Sequence, residues 1–381
     1  MKRLLFITWD GPQVNYLEGL FYPILRGLKG SYAVDVVQFT WGDREKSEKA
    51  ARLLEGAGMH YTRVEIGARV WTLLKGTFYL RSRFRKQNYD VVMYRSIYPG
   101  LMILPWSGGK PKWVFDADGL PLEEKVDFGG MNPNGPFFRV LKWVEGAAVR
   151  KADRVLVRSA RALDALPPGP GKFRVVLNGR DSSVYQLPEE VQRRTLRASI
   201  GVSEDELLLV YSGSLGPQYC VPEMLQLLDV LNEEHKARLL VLTGSPDYLH
   251  SFDEGARAKL LVFNLPATEV PRYLGAADAA LAIRKGSPSM RAVSPVKLGE
   301  YLMCGLPVVA TADIGDTREL LRGRNACLLL EDHTTASIRQ AAHWVALVSG
   351  NKEIQQEARR LGLEKFSLEE SIATYQKALE G

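Results

Sequence analysis

Cysteine and histidine are scarce in this sequence, with three and five respectively in 381 residues. Cys220, Cys304 and Cys327 are odd in number, far apart and without CxxC spacing. That excludes a disulfide framework and points to a reducing compartment. The histidines form no HExxH and no Cys/His cluster along the chain, so neither a zinc site nor a catalytic metal or other cofactor is expected. No apolar run approaches the ~20 residues of a membrane span. The opening MKRLLFITWDGP has only a short apolar run before Asp10 and Gly11. A signal peptide needs roughly 7–15 apolar residues there, so this stretch reads as a first β-strand. Internal repeats and low-complexity tracts are also missing. A cytoplasmic protein is expected, free or held peripherally at the inner face of the cell membrane.

What is present is ordinary for a globular chain: 46% hydrophobic and 25% charged residues. The length favours two domains. A formal net charge of +6 suits an anionic partner: a nucleotide, a phosphorylated lipid or a membrane surface. Short apolar runs alternate with helical patterns throughout. The first half carries LLFIT (4–8), VDVVQF (34–39), TRVEI (62–66), VVMY (91–94), KWVF (112–115), RVLV (154–157) and RVVL (174–177). The second carries LLLVY (207–211), RLLVLT (238–243), LLVF (260–263), AALAI (279–283), PVVA (307–310) and CLLL (327–330). Continuous apolar strands separated by helices predict parallel sheets covered on both faces. Two such sets predict two Rossmann-like, doubly wound α/β domains facing across a cleft, with ligands outside the carboxyl ends of the strands. The expected limits are 1–185 for a first domain, 186–362 for a second and 363–381 for a C-terminal segment.

Four stretches carry candidate chemistry. In SPVKLGEYLMCGLPVVATADIGD (294–316), Ser294 and Pro295 form a helix start, and the open N–H groups there attract anions. Lys297 and Glu300 are three apart and share a helix face. Cation and amides suit a diphosphate, and the carboxylate suits hydroxyl groups; a surface Lys–Glu pair on a capped helix has the same spacing. The preceding loop RKGSPSMRAV (284–293) adds Arg284, Lys285 and Arg291. VYSGSLGPQY (210–219) places Gly213, Ser214 and Gly216 after a strand, either to admit a phosphate or to make a structural turn. It is neither GxGxxG nor a Walker loop, which removes support for nicotinamide and P-loop readings. VFDADGLPLEEK (114–125) puts Asp116 and Asp118 just past a strand, as a base or hydroxyl clamp or as solvated loop acids. Residues 69–86 hold Arg69, Lys75, Arg81, Arg83, Arg85 and Lys86 beside Trp71, Leu74 and Phe78. That fits an anionic membrane surface or a crossover helix with a basic side. No RNA-binding or helix-turn-helix motif accompanies it, and no nucleic-acid partner is expected.

Together these stretches resemble GT-B glycosyltransferases, and among them the large retaining family 4. VEGAAVRKADRVLVRSARALDAL (144–166) looks like the segment that closes the family's first domain, and VVLNGRDSSVY (175–185) its Asn-Gly-Val-Asp segment. VPRYLGAADAALAI (270–283) and SPVKLGEYLMCGLPVVAT (294–311) are the most specific pieces. FSLEESIATYQKAL (366–379) is similar to the final helix; the resemblance implies that 1–185 binds the acceptor, that 186–362 binds the nucleotide sugar, and that the helix within 363–381 crosses back to the first domain. The resemblance implies retaining transfer of a sugar from a nucleoside diphosphate sugar to a glycan or lipid-linked acceptor, as in polysaccharide or cell-wall assembly. It implies a donor site from Gly213, Ser214, Gly216, Ser294, Val296, Lys297 and Glu300, with Glu300 on the ribose. Lys297, Arg284 and Asp118 are the expected catalytic residues. Gly11, Asp116, Asp118 and Asn178 are expected on the acceptor side.

Three departures stand out. Ala292 occupies the place of the first acid of the family's Glu–seven–Glu motif. Ser214 and Tyr219 stand where an Arg and a Lys are common, and a usual glycine pair after the first strand is reduced to Gly11. They keep open a nucleotide-sugar-binding protein without transferase activity; a nucleotide-sugar epimerase is the other alternative.

Overall fold

Every strand expected from the sequence forms in the computed structural model, which describes residues 1–11, 16–41, 44–67, 71–294 and 296–380. The chain divides into two units. The first holds β1 (Lys2–Asp10), β2 (Tyr32–Thr40), β3 (His60–Glu65), β4 (Val91–Arg95), β5 (Lys112–Asp116), β6 (Arg154–Val157) and β7 (Phe173–Val175). They make one parallel seven-stranded sheet in the order β3-β2-β1-β4-β5-β6-β7. The second holds β8 (Leu207–Ser212), β9 (Ala237–Leu242), β10 (Leu260–Phe263), β11 (Ala279–Ala282), β12 (Val308–Thr311) and β13 (Cys327–Leu330). Their parallel order is β10-β9-β8-β11-β12-β13. Interior strands such as β4 and β12 are buried at every residue, as helices on both faces require.

In each sheet the first strand and the fourth lie side by side while their following connections leave in opposite directions. Loops that diverge in this way open a crevice at the carboxyl ends of those two strands. The fold therefore prescribes one crevice per unit: at the ends of β1 and β4, and at the ends of β8 and β11.

The division falls after Leu177, and residues from Ser371 onward belong to the first unit. The limits expected from sequence were 185 and 362. Segment 178–188 stays with the second unit because its backbone is bonded there. Arg180 N–H donates to the Phe366 carbonyl and Leu368 N–H to the Arg180 carbonyl, both at 2.8 Å. Arg359 also donates to the carbonyls of Ser182, at 3.1 Å, and Tyr185. The last helix, Leu368–Glu380, sits on the first unit through its later residues: Ser371 Oγ donates to the Leu177 carbonyl at 2.6 Å and Tyr375 Oη to Asp116 Oδ2 at 3.1 Å.

The helix Val296–Met303 is fixed by close contact with the helix Lys352–Phe366. A Cβ on Gly362 would stand 2.7 Å from the Met303 nitrogen, and one on Gly299 2.7 Å from Phe366 Cβ. The first contact is with backbone and has no side chain to give way. Gly362→Ala is expected to cost about 1–3 kcal/mol through overpacking, seen as a thermal midpoint several degrees lower. An unchanged midpoint would contradict this close crossing.

Candidate functional site

The crevice of the second sheet contains a cavity of about 350 Å³. Gly213 and Ser214 enter it from the end of β8, Arg284 from the end of β11, and Ser294, Val296 and Lys297 from the start of the next helix. The order of elements thus unites three loops drawn from between Gly213 and Lys297 of the sequence. Tyr301 bolts the helix to the strand: its hydroxyl accepts from Ser212 N–H at 2.7 Å and lies 3.3 Å from the Ser212 carbonyl. Gly213 has φ +156°, and a Cβ there would come 3.1 Å from the Tyr211 hydroxyl. A larger residue would disturb the wall at the point where β8 opens.

Two cations face this cavity. The Arg284 guanidinium stacks over the Tyr219 ring at 4.8 Å, and its backbone N–H donates to Thr311 Oγ1 at 3.0 Å. The Lys297 side chain is 38% exposed, and its Nζ donates to Glu300 Oε2 at 2.9 Å. Glu300 does not line the cavity; it is 3% exposed, and its other oxygen accepts from Arg180 Nε at 3.0 Å. Burial alone would raise its pKa, but Lys297 and Arg180 outweigh burial and hold the carboxyl below its ordinary range. A charged carboxylate here holds two cations in place, one of them at the cavity.

The remaining donor-side expectations fall nearby. Gly216 precedes the short turn Pro217–Tyr219, and the Gln218 carbonyl of that turn accepts from Lys285 N–H at 3.0 Å. Ala292 is fully buried in the turn Ser289–Ala292. Pro295 lies outside the described residues. Asn178, expected on the acceptor side, is buried and belongs to the second unit. Arg180 was missed from sequence: it occupies the third place of the stretch that resembles Asn-Gly-Val-Asp, and the extra cation was the available signal.

In the first unit, the strand ends carry a buried network of charge. Arg95, at the end of β4, pairs with Asp10 at 3.5 Å and with Asp118. Asp10 also accepts from Gln38 Nε2 at 2.9 Å and Thr8 Oγ1 at 3.1 Å. Burial raises its pKa in spite of Arg95 and these bonds. Asp116 is fully buried, bound by Arg158 Nη2 at 2.7 and 2.8 Å and by the Tyr375 hydroxyl. For Arg158 burial would lower the pKa, but Asp116 and its neighbours drive it upward. Asp118 differs from Asp116: it stands in the left-handed region at φ +53°, with a side chain 23% exposed. The two acids, both expected on the acceptor side, therefore separate, Asp116 inside the network and Asp118 at its edge. Gly11 follows Asp10, and a Cβ there would meet the Trp41 ring at an ordinary 3.6 Å.

This pair of sheets, each with its switch-point crevice, is the architecture of the GT-B glycosyltransferases. Residues 22–179 match the family model for a glycosyl transferase 4-like domain, and residues 192–360 match that for glycosyl transferases group 1. The chain belongs to the family-4-like GT-B glycosyltransferases and is an enzyme of the hexosyltransferase type. Among solved structures it is similar to HepE of Anabaena in complex with UDP and glucose, at TM-score 0.74 and 15% identity, covering 100% of this chain and 99% of that one. Sucrose-phosphate synthase of Thermosynechococcus elongatus gives 0.70 and 14%, covering 99% and 98%. WaaG, a glycosyltransferase of lipopolysaccharide biosynthesis, gives 0.70 and 16%, covering 98% of each chain. A comparison with curated proteins finds no sequence match. Among the described residues no helix is long and apolar enough to cross a membrane.

Proposed function

We propose that the enzyme moves a sugar from a nucleoside diphosphate sugar to an acceptor hydroxyl with retention at the anomeric carbon, and that the second-unit cavity holds the donor. The observation that carries this reading is the convergence of Ser214, Arg284, Ser294 and Lys297 on one cavity at the β8/β11 switch point. Similar structures hold UDP and glucose or UDP-glucose in complexes of HepE, which supports a nucleotide-sugar donor. The glycosidic carbon–oxygen bond breaks and its electron pair goes to the diphosphate. Lys297 and Arg284 stabilise that developing charge. The acceptor oxygen then bonds to the oxocarbenium-like carbon on the same face, and its proton passes to the departing phosphate. Glu300 does not line the cavity; it is assigned to the donor indirectly, through Lys297, which it holds at 2.9 Å. Asp118, the half-buried acid at the edge of the first unit's network, orients the acceptor. No metal is assigned to this reaction.

A thermal-shift series with UDP, GDP, ADP and their sugars tests the donor. One base should stabilise the protein in a saturable manner, and Ser214→Trp, which fills the cavity, should abolish the effect. Equal stabilisation of the variant would place the nucleotide elsewhere.

The acceptor is proposed to be a lipid-linked glycan met at an anionic membrane surface. On the helix Thr72–Lys86, Leu74 and Phe78 are each 62% exposed, next to Trp71 at its start. Trp143 and Val140 are exposed on the helix Pro136–Lys151, and both helices pack against the helix Ile97–Ile103. Such a set of aromatic and aliphatic side chains with Arg81, Arg85 and Lys86 nearby suits the bilayer interface. Arg83 takes no part, because it turns inward to Asp35 at 3.1 Å. Arg69 lies outside the described residues. Vesicles rich in anionic lipid should float the protein at low salt, and Trp71→Ser with Phe78→Ser should release it. No flotation of the unmodified protein would count against this acceptor class.

A further inference from the structure

Three side chains of different chemistry converge in the second unit, outside the residues assigned to donor or acceptor. Cys220 stands immediately before the helix Val221–Leu231, Glu223 lies in its first turn, and His333 follows β13. Cys220 Sγ is 3.8 Å from His333 Nδ1, and Glu223 Oε1 is 3.8 Å from the same nitrogen. All three ligand atoms lie within 4.8 Å of one another. In a tetrahedral zinc site, bonds of about 2.3 Å to sulfur and about 2.1 Å to nitrogen and oxygen set the ligand atoms about 3.4–3.6 Å apart. The two edges that meet at His333 are thus within a few tenths of an ångström of that geometry. The third closes by rotation of the flexible Glu223 side chain.

Two further features point the same way. Cys220 is held in the left-handed region at φ 48°, ψ 45°, and its side chain makes no cap bond to the helix it precedes. A strained non-glycine residue whose side chain is not used by the helix is the kind of outlier found at binding sites. His333 Nε2 lies 3.0 Å from Thr311 Oγ1, which already accepts the Arg284 N–H. With Nε2–H donated to Thr311, the Nδ1 lone pair faces the sulfur and the carboxylate. That is the outer-shell arrangement that orients a metal-bound histidine.

We propose that Cys220, Glu223 and His333 bind a divalent cation of the zinc class, with water in the fourth position. The combination of thiolate, imidazole and carboxylate selects such a cation over magnesium or calcium. On binding, the thiol S–H bond breaks, the sulfur–metal bond forms, and the proton passes to solvent. Burial and the Glu223 charge push the free thiol up to about 12, so the metal must displace a firmly held proton. An occupied site would tie the start of one helix to the loop after β13, next to the cavity wall at Tyr219 and Arg284.

The test uses the full chain, reduced and stripped of metal, and reads no transferase activity. Titration with Co²⁺ should saturate at one equivalent, with a near-ultraviolet thiolate-to-cobalt charge-transfer band and the visible bands of a tetrahedral ion. Zn²⁺ should displace it. Cys220→Ser should remove the charge-transfer band, and His333→Gln should shift the visible bands and weaken binding. Thr311→Val, which removes the outer-shell partner of His333 together with the acceptor of the Arg284 N–H, should weaken Zn²⁺ binding about 10–100-fold. Circular dichroism of each metal-free variant verifies folding. Absence of saturable binding to the unmodified chain, or a charge-transfer band that persists in Cys220→Ser through Cys304 or Cys327, would overturn the proposal.

Discussion

Replacing Lys297 with alanine is expected to lower kcat for sugar transfer by about 10²–10³-fold, the usual loss when one stabiliser of developing charge is removed. The ammonium lies at the cavity and is aimed by Glu300. Negative charge on the diphosphate grows as the glycosidic bond breaks, so the loss should fall mainly on kcat and less on donor KM. Arg180 continues to pair with Glu300 in this variant, so folding should suffer little. Lys297→Arg keeps the charge but not the compact ammonium, and should recover part of the rate. Steady-state kinetics with the donor chosen by thermal shift decide the matter. Near-normal turnover in Lys297→Ala would remove this residue from the reaction.

Glu300→Gln should act on stability as well as on donor binding. Removing the charge of one partner in a buried ion pair leaves the other uncompensated, at a cost of about 3–5 kcal/mol. Here Arg180 would bear most of that cost, because Lys297 reaches solvent. The depressed pKa of Glu300 sets the pH dependence. A carboxyl lowered on folding contributes stability that is fully present above its ordinary pKa of 4.5 and is lost as pH falls through its folded value. The stability gap between the native enzyme and Glu300→Gln should therefore be constant near neutrality and narrow in acid below pH 4.5. Denaturant titrations from acid to neutral pH give this directly. A gap independent of pH would contradict the charged state assigned to Glu300. Calorimetry should also show weaker nucleoside diphosphate binding, because Lys297 loses its anchor. In Arg180→Met combined with Glu300→Gln the stability losses should be less than additive.

The parallel sheets were legible because their strands are continuous apolar runs bounded by turn residues, and β4, β8 and β12 keep that pattern closely. The cavity of the second unit was legible because Gly213, Ser214, Ser294 and Lys297, which line it, all sit at strand ends or a helix start, where the fold exposes backbone and side chain. Pairings across long sequence separations were not. Nothing in the spacing joins Arg180 to Glu300, or Cys220 to His333, since those contacts depend on how helices dock on the sheet. The sequence singled out Asp118 over Asp116 as catalytic but could not show their burial; the positions of Arg158 and Tyr375 show that Asp116 is the one committed to the interior. The stretch DSSVYQLPEE (181–190) is polar and reads as lying near the domain boundary, yet its Ser182 and Tyr185 carbonyls bond Arg359 of the second unit, a feature of backbone geometry rather than composition.

The most direct test is a crystal soaked with the nucleoside diphosphate that stabilises the protein best. The diphosphate should lie in the cavity at the ends of β8 and β11, its oxygens within hydrogen-bond reach of Ser214, Ser294 and Lys297. A diphosphate bound at another surface, with that cavity left to solvent, would contradict the assignment on which the proposed reaction depends.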